Sequence, residues 1–122
     1  MQNYPEAIGP YSVYKEANGF LFVSGQIPIN PKSKEIDSSD IKEQAKQSLK
    51  NIEAILKENN LSFADVVKTT VFLTDINDFA SVNEVYAEFF VAPYPARSAI
   101  AVKDLPRGAK VEIEIIAIKN KK

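Results

Sequence analysis

Apolar residues change their period along the chain, and the changes mark its elements. Residues 11–16 (YSVYKE) and 20–24 (FLFVS) read as two strands, with Asn18-Gly19 between them as a hairpin signal. The stretch 25–40 (GQIPINPKSKEIDSSD) holds two prolines and several turn formers and reads as a loop. From about Asp40 to Asn59 the period becomes helical. Ile41, Ala45, Leu49, Ile52 and Leu56 recur on one face, with lysines and glutamates opposite. Asp40 and Glu43 have the spacing of a capping box, and Asn59-Asn60 suits the exit. Residues 65–75 (DVVKTTVFLTD) are rich in β-branched side chains and predict a strand. Residues 76–90 (INDFASVNEVYAEFF) predict a second helix with Phe79, Val82, Tyr86 and Phe89 on one face. The runs 96–102 (ARSAIAV) and 110–118 (KVEIEIIAI) supply the last two strands.

The order ββ-α-β-α-ββ predicts an α/β (α+β) domain, a mixed sheet with two helices packed on one face. Two helices cover one face only, yet the third strand is apolar on both, with Val67, Val71 and Leu73 against Val66 and Phe72. The second face therefore predicts self-association. Residues 1–122 form one domain, long enough to bury roughly two-thirds of the unfolded surface. There is no internal repeat.

Charge and composition narrow the chemistry. A net charge of −1 gives no global field for nucleic acid or an anionic membrane, and the final KNKK reads as a solvated tail. The opening MQNYPEAIGP has no apolar core, and no run approaches the roughly 20 apolar residues of a membrane span, so a soluble, cytoplasmic protein is expected. The chain has no cysteine and no histidine. That removes disulfides, thiolate nucleophiles, zinc–sulfur sites and the usual acid/base of neutral pH. Of fifteen basic residues only two are arginines, Arg97 and Arg107.

Arg97 opens the apolar run YPARSAIAV, where a planar guanidinium suits either a two-pronged grip on an anion or a structural salt bridge. Strand alternation puts Glu112 and Glu114 on one face, about 7 Å apart, as a solvated pair or as a pocket carboxylate that moves protons. Tyr11 reads as a strand residue or a cleft phenol. Ser24 and Gly25 end an apolar strand, where glycine permits a turn or a ligand's close approach. Asn83 reads as a surface residue unless its helix faces a neighbour.

Taken together, AIGPYS, VSGQIP, QSLKNIEAIL, VVKTTVFLTDINDFASVNEVYAEFF, PYPARSAI and VEIEIIAI occur in the order and spacing of one family, with Arg97 and Glu112 fifteen positions apart. From about Ala7 to Ile118 the chain resembles the reactive-intermediate deaminases, the Rid or YjgF-like family once described as endoribonuclease-like. The resemblance implies a chorismate-mutase-like fold and a homotrimer with clefts between subunits. It also implies hydrolysis of 2-enamino and 2-imino acids, such as 2-aminoacrylate, to 2-keto acids and ammonia, with no cofactor and no metal. Under it Arg97 grips the substrate carboxylate, Glu112 activates water and shuttles a proton, and Tyr11 adds a phenolic hydrogen bond. Ser24, Gly25 and Asn83 line the cleft, Asn83 from a neighbouring subunit's helix. Two features depart from many relatives: Ala99 stands where they carry cysteine, and the link VAPY before Pro95 is short. The alternatives are a non-catalytic trimer that senses small carboxylates and, from the older name alone, an RNA-directed protein.

Overall fold

In the computed structural model, which describes residues 2–119, Asn18 and Gly19 take left-handed backbone angles (φ 51° and 81°). They fold β1 (Tyr14–Ala17) back onto β2 (Phe20–Gln26), as an Asn-Gly pair favours when both turn positions need positive φ. The first strand is shorter than its sequence suggests. A turn in which the Tyr11 N–H donates to the Gly9 carbonyl (2.9 Å) shapes the lead-in, so Tyr11 lies in a loop before β1 and not in a strand.

Helix α1 (Ile41–Glu58) begins where the Asp40 carboxylate accepts from the Glu43 N–H at 3.0 Å. Ala45, Leu49, Ile52 and Leu56 are buried as their spacing requires, together with Ile55, while Ile41 is only partly covered. The chain continues through β3 (Val66–Leu73), α2 (Phe79–Phe89), β4 (Ala96–Ala101) and β5 (Val111–Ile118). Helix α2 starts three residues later than its sequence suggests. Asp75 accepts from the Asn77 N–H and caps a separate 3-10 turn at Ile76–Asp78. The buried face of α2 is Val82, Val85 and Tyr86; Phe79 and Phe89 are partly exposed at its flanks.

The strands lie in the order β1-β2-β5-β3-β4, with β3 and β4 parallel and the other pairs antiparallel. Both helices pack on one face, over Leu21, Val71, Leu73, Val111 and Ile113, giving the mixed sheet that the element order predicts. β3 departs from simple alternation at its start. A register shift between Val66 and Lys68 turns Val66 into the core with Val71 and Leu73, and leaves Val67 41% exposed. The other sheet face carries Phe20, Phe22, Phe72 and Ile100, and the exposure of Phe22 (43%) and Ile100 (48%) fits the expected self-association.

A polar row interrupts the apolar stripe of α1. The Ser48 hydroxyl donates to the Gln26 carbonyl (2.6 Å), and Asn51 Nδ2 donates to the carbonyls of Ile29 (3.0 Å) and Ile27 (3.4 Å). Gln44 donates to the Ser38 carbonyl (2.9 Å) and accepts from the Lys110 N–H (2.8 Å). All three side chains are buried. Ser48 and Asn51 satisfy the backbone that leaves β2 beside Gly25, and Gln44 ties the later part of that loop to the start of β5. Asn51→Ala is expected to cost about 2 kcal/mol, because it strands buried carbonyls. Urea unfolding measures this, with the exposed Lys50→Ala expected to change little.

Candidate active site

The first half of the site forms where β5 passes the end of β2. The β2–β5 register slips between Val23 and Gln26, and in that irregular stretch Gly25 lies against the Glu112 side chain. A methyl group at Gly25 would collide with the Glu112 carboxylate, meeting its Cδ at 2.7 Å and its Cγ at 3.0 Å. Glycine here provides space, not a special φ: a missing Cβ lets the carboxylate lie on the backbone of β2. Tyr11, Ser24, Gly25 and Glu112 line one cavity of about 280 Å³, walled by Ile8 and Ile27. The Ser24 hydroxyl donates to the Ser12 carbonyl (2.7 Å), and the Tyr11 oxygen accepts from the Ile8 N–H (3.3 Å).

Burial pushes the Glu112 carboxyl above the ordinary glutamate range, and Glu114 on the same face pushes it further. Among the described residues no hydrogen bond or ion pair engages that carboxylate. A half-buried acid with free oxygens at a cavity wall can take up and release protons.

The second half stands on the helix side of β4. Arg97 Nη1 donates to Asn83 Oδ1 at 2.8 Å, and its guanidinium carbon lies 4.8 Å from the Tyr86 ring centre and 5.2 Å from that of Phe79. Tyr86 is held in turn by a 2.9 Å hydrogen bond between its hydroxyl and Thr69 Oγ1. Burial raises the Tyr86 hydroxyl, while Thr69 and the Arg97 charge oppose the rise. Arg97, Asn83, Tyr86 and Tyr94 line a cavity of about 460 Å³. No carboxylate pairs with Arg97 among the described residues, and its side-chain hydrogen bond there is to Asn83. Ala99, two positions along β4, packs its side chain against the core.

The structure thus brings Tyr11, Ser24, Gly25 and Glu112 together, and Arg97 with Asn83, but keeps the two groups apart. Arg97 pairs with Thr69 on β3, whereas Glu112 pairs with Phe72, three positions on, so the two side chains leave opposite faces of the sheet. Phe79, Tyr86 and Tyr94 were not singled out from the sequence as site residues. Their signal was present, since Phe79, Asn83 and Tyr86 share one helical face, but such spacing also describes ordinary core.

The model of the family described as Endoribonuclease L-PSP matches residues 1–119. The chain belongs to that family. Among endoribonuclease L-PSP relatives, a RutC family protein of Pyrococcus horikoshii is 53% identical over 118 residues, covering 97% of this chain and 94% of its own. The 2-iminobutanoate/2-iminopropanoate deaminase of Escherichia coli K12 is 47% identical over 121 residues, with 97% and 94% covered. The crystal structure of E. coli TdcF with bound serine matches with a TM-score of 0.92 at 46% identity, over 98% of this chain and 96% of that one. These are members of the family that the sequence motifs resemble. No helix among the described residues is long and apolar enough to cross a membrane.

The raised Glu112 carboxyl means that the folded protein holds this proton more tightly than the unfolded chain. Its stabilising share is complete below the ordinary glutamate pKa and is lost as pH rises through the folded value. Glu112→Gln is therefore expected to melt higher than the wild type at about pH 8 and to lose that advantage by about pH 4. Thermal melts across pH test this; a variant less stable at the higher pH would mean that the carboxylate is held by favourable contacts.

Proposed function

We propose that the protein hydrolyses 2-enamino and 2-imino acids to 2-keto acids and ammonia, in the cytoplasm and as a homotrimer. The observation that carries this is the half-buried, unpartnered Glu112 carboxyl seated on Gly25 beside Tyr11. The 47% identity to a 2-iminobutanoate/2-iminopropanoate deaminase supports the same chemistry. The oriented Arg97 guanidinium suits the carboxylate of such a substrate, and the structure of TdcF with bound serine gives a relative that binds an amino acid.

The reaction asks little of the protein. The enamine takes a proton at C3 and becomes the iminium, water adds at C2 with loss of one proton, and the carbinolamine passes its hydroxyl proton to nitrogen and expels ammonia to leave the ketone. Glu112 in its acid form supplies the proton at C3, and as carboxylate it accepts one from the attacking water. Arg97 holds C2 in place through the carboxylate, and Tyr11 steadies the developing charge with its hydroxyl. Neither a metal nor an organic cofactor enters these steps.

Because Arg97 and Glu112 leave opposite sheet faces, the cleft joins the Arg97 face of one copy to the Glu112 face of the next. Asn83 travels with Arg97, and the Tyr11 loop with Glu112.

The direct test generates 2-aminoacrylate in situ with a dehydratase and follows keto-acid release. Wild type is expected to accelerate release, and Arg97→Ala to lower kcat/KM by roughly 100-fold. No acceleration by the assembled wild type would replace turnover with carboxylate binding alone. Subunit mixing tests the cleft. Arg97→Ala and Glu112→Gln chains are each expected to be strongly impaired, yet co-refolded in equal amounts they are expected to recover about a quarter of wild-type activity, since half the copies offer each intact residue. If one copy supplied both residues, the mixture would stay strongly impaired.

A further inference from the structure

The chain's second arginine lies outside the chemistry above. Arg107 borders a cavity of about 730 Å³ between the N-terminal segment and the loop that follows β2, and Lys32 and Lys34 border the same space. Tyr4, Pro5, Ile29 and Pro31 give it an apolar lining, and Glu6 is the acid on its wall. Among the described residues, none of the three cations forms an ion pair. Asp37, which follows Lys32 and Lys34 in the same loop, accepts from Asn30 Nδ2 (2.7 Å) and the Ser33 hydroxyl (2.8 Å). Arg107 Nη2 donates to the Lys34 carbonyl at 3.3 Å, which ties two of the cationic residues together across the rim.

Backbone geometry singles out the same residues independently. Four non-glycine residues among those described have positive φ: Asn18, Asn60, Lys34 (63°) and Arg107 (61°). Asparagine tolerates this region because its short polar side chain bonds locally; lysine and arginine adopt it at a cost. Both of the costly cases are cations on this one cavity. Such strain persists where the surroundings hold a residue for a purpose, and ligand clamps are a common place for it.

We infer that this cavity binds a small organic anion, a carboxylate or phosphate on a short apolar body, held by Arg107, Lys34 and Lys32. The apolar floor takes the body and the cationic rim takes the charge. Glu6 sets a limit on the occupant by repelling anions that lie deep along its side of the wall.

The cavity also communicates with the site. Ile8 borders both this space and the Glu112 cavity, and its N–H donates to the Tyr11 hydroxyl. A ligand packed on Ile8 therefore bears on the position of Tyr11. The binding site itself does not depend on the proposed deaminase activity.

Benzoate, phenyl phosphate and the neutral benzamide are suitable probes, with Ile8 and Arg107 amide resonances as the readout. At least one of the two anions is expected to bind saturably, benzamide to bind at least about tenfold more weakly, and Arg107→Gln to weaken the anion about tenfold. The preferred anion separates a carboxylate site from a phosphate site. Arg97→Ala is expected to leave the affinity unchanged, which separates this cavity from the carboxylate grip at Arg97. Should Arg107→Gln not fold, the Lys32→Gln/Lys34→Gln double variant is read in its place, with the same loss expected. The inference is overturned by no saturable binding of either anion, by equal binding of benzamide, by affinity indifferent to the loss of these cations, or by affinity lost with Arg97.

Discussion

A strand side chain must leave the sheet on the face opposite to its neighbour's, and that two-residue alternation governs how this molecule can work. β3 runs between β4 and β5 without irregularity over residues 69–72, so the register fixes Arg97 on the helix side and Glu112 on the open side. Each residue then meets a different environment. On the helix side α2 supplies Phe79, Asn83 and Tyr86, and Arg97 becomes a stacked, oriented cation. On the open side there is no helix layer, and Glu112 takes its partial burial from the close backbone at Gly25 and from the Tyr11 loop. A cleft that uses both groups must bring two copies together.

The apparatus that holds these groups is buried and polar. Ser48 and Asn51 on α1 reach the carbonyls of residues 26–29, and Gln44 reaches both Ser38 and Lys110. Irregular backbone beside a cavity cannot pair with a neighbouring strand, and in the core it cannot pair with water. Side chains from a rigid helix meet that need, and they give the loop near Gly25 the stiffness of the helix. The N-terminal segment is anchored comparably. Glu58 accepts from the hydroxyls of Tyr4 (2.7 Å) and Tyr14 (2.5 Å), and the two bonds hold its carboxyl below the ordinary range.

Elements with a sustained period were legible in the sequence. The apolar spacing of α1, the Asn-Gly turn and the β-branched run of β3 each pointed to one structure, because local preference and tertiary packing agree there. The misreadings fall where a tertiary fact intervenes. Val67 was grouped with Val71 and Leu73 because a bulge leaves no mark in the residue pattern, yet it shifts the phase by one. Tyr11 sits in a stretch that reads as strand, but the turn at residues 9–11 holds it in the loop that leads into β1. The site was legible as residue types and not as geometry. That Arg97 and Glu112 diverge depends on the registers of three strands, which no single segment encodes. Tyr86 was visible as a core residue, and it is one; its second role under the guanidinium follows only from the position of β4.

The absence of histidine gives these contacts a common logic. Without imidazole, a group that titrates near neutrality has to be made from one that does not, and for a carboxyl the means are loss of water and a neighbouring negative charge. Glu112 shows both, with desolvation the larger. Among the described residues no donor bonds it, and a hydrogen bond to the charged form would pull the carboxyl back down. Glycine at position 25 serves the same end, replacing solvent with backbone at contact distance. In a single copy this desolvation stays incomplete, because Glu112 stands on the open face of the sheet. In the proposed trimer a second copy covers that face and removes more water, which acts to raise the carboxyl, while the Arg97 charge that it brings to the cleft acts to lower it. Assembly would then do two things at once: bring Arg97 to the substrate and set the balance of lost water and added charge under which Glu112 exchanges its proton.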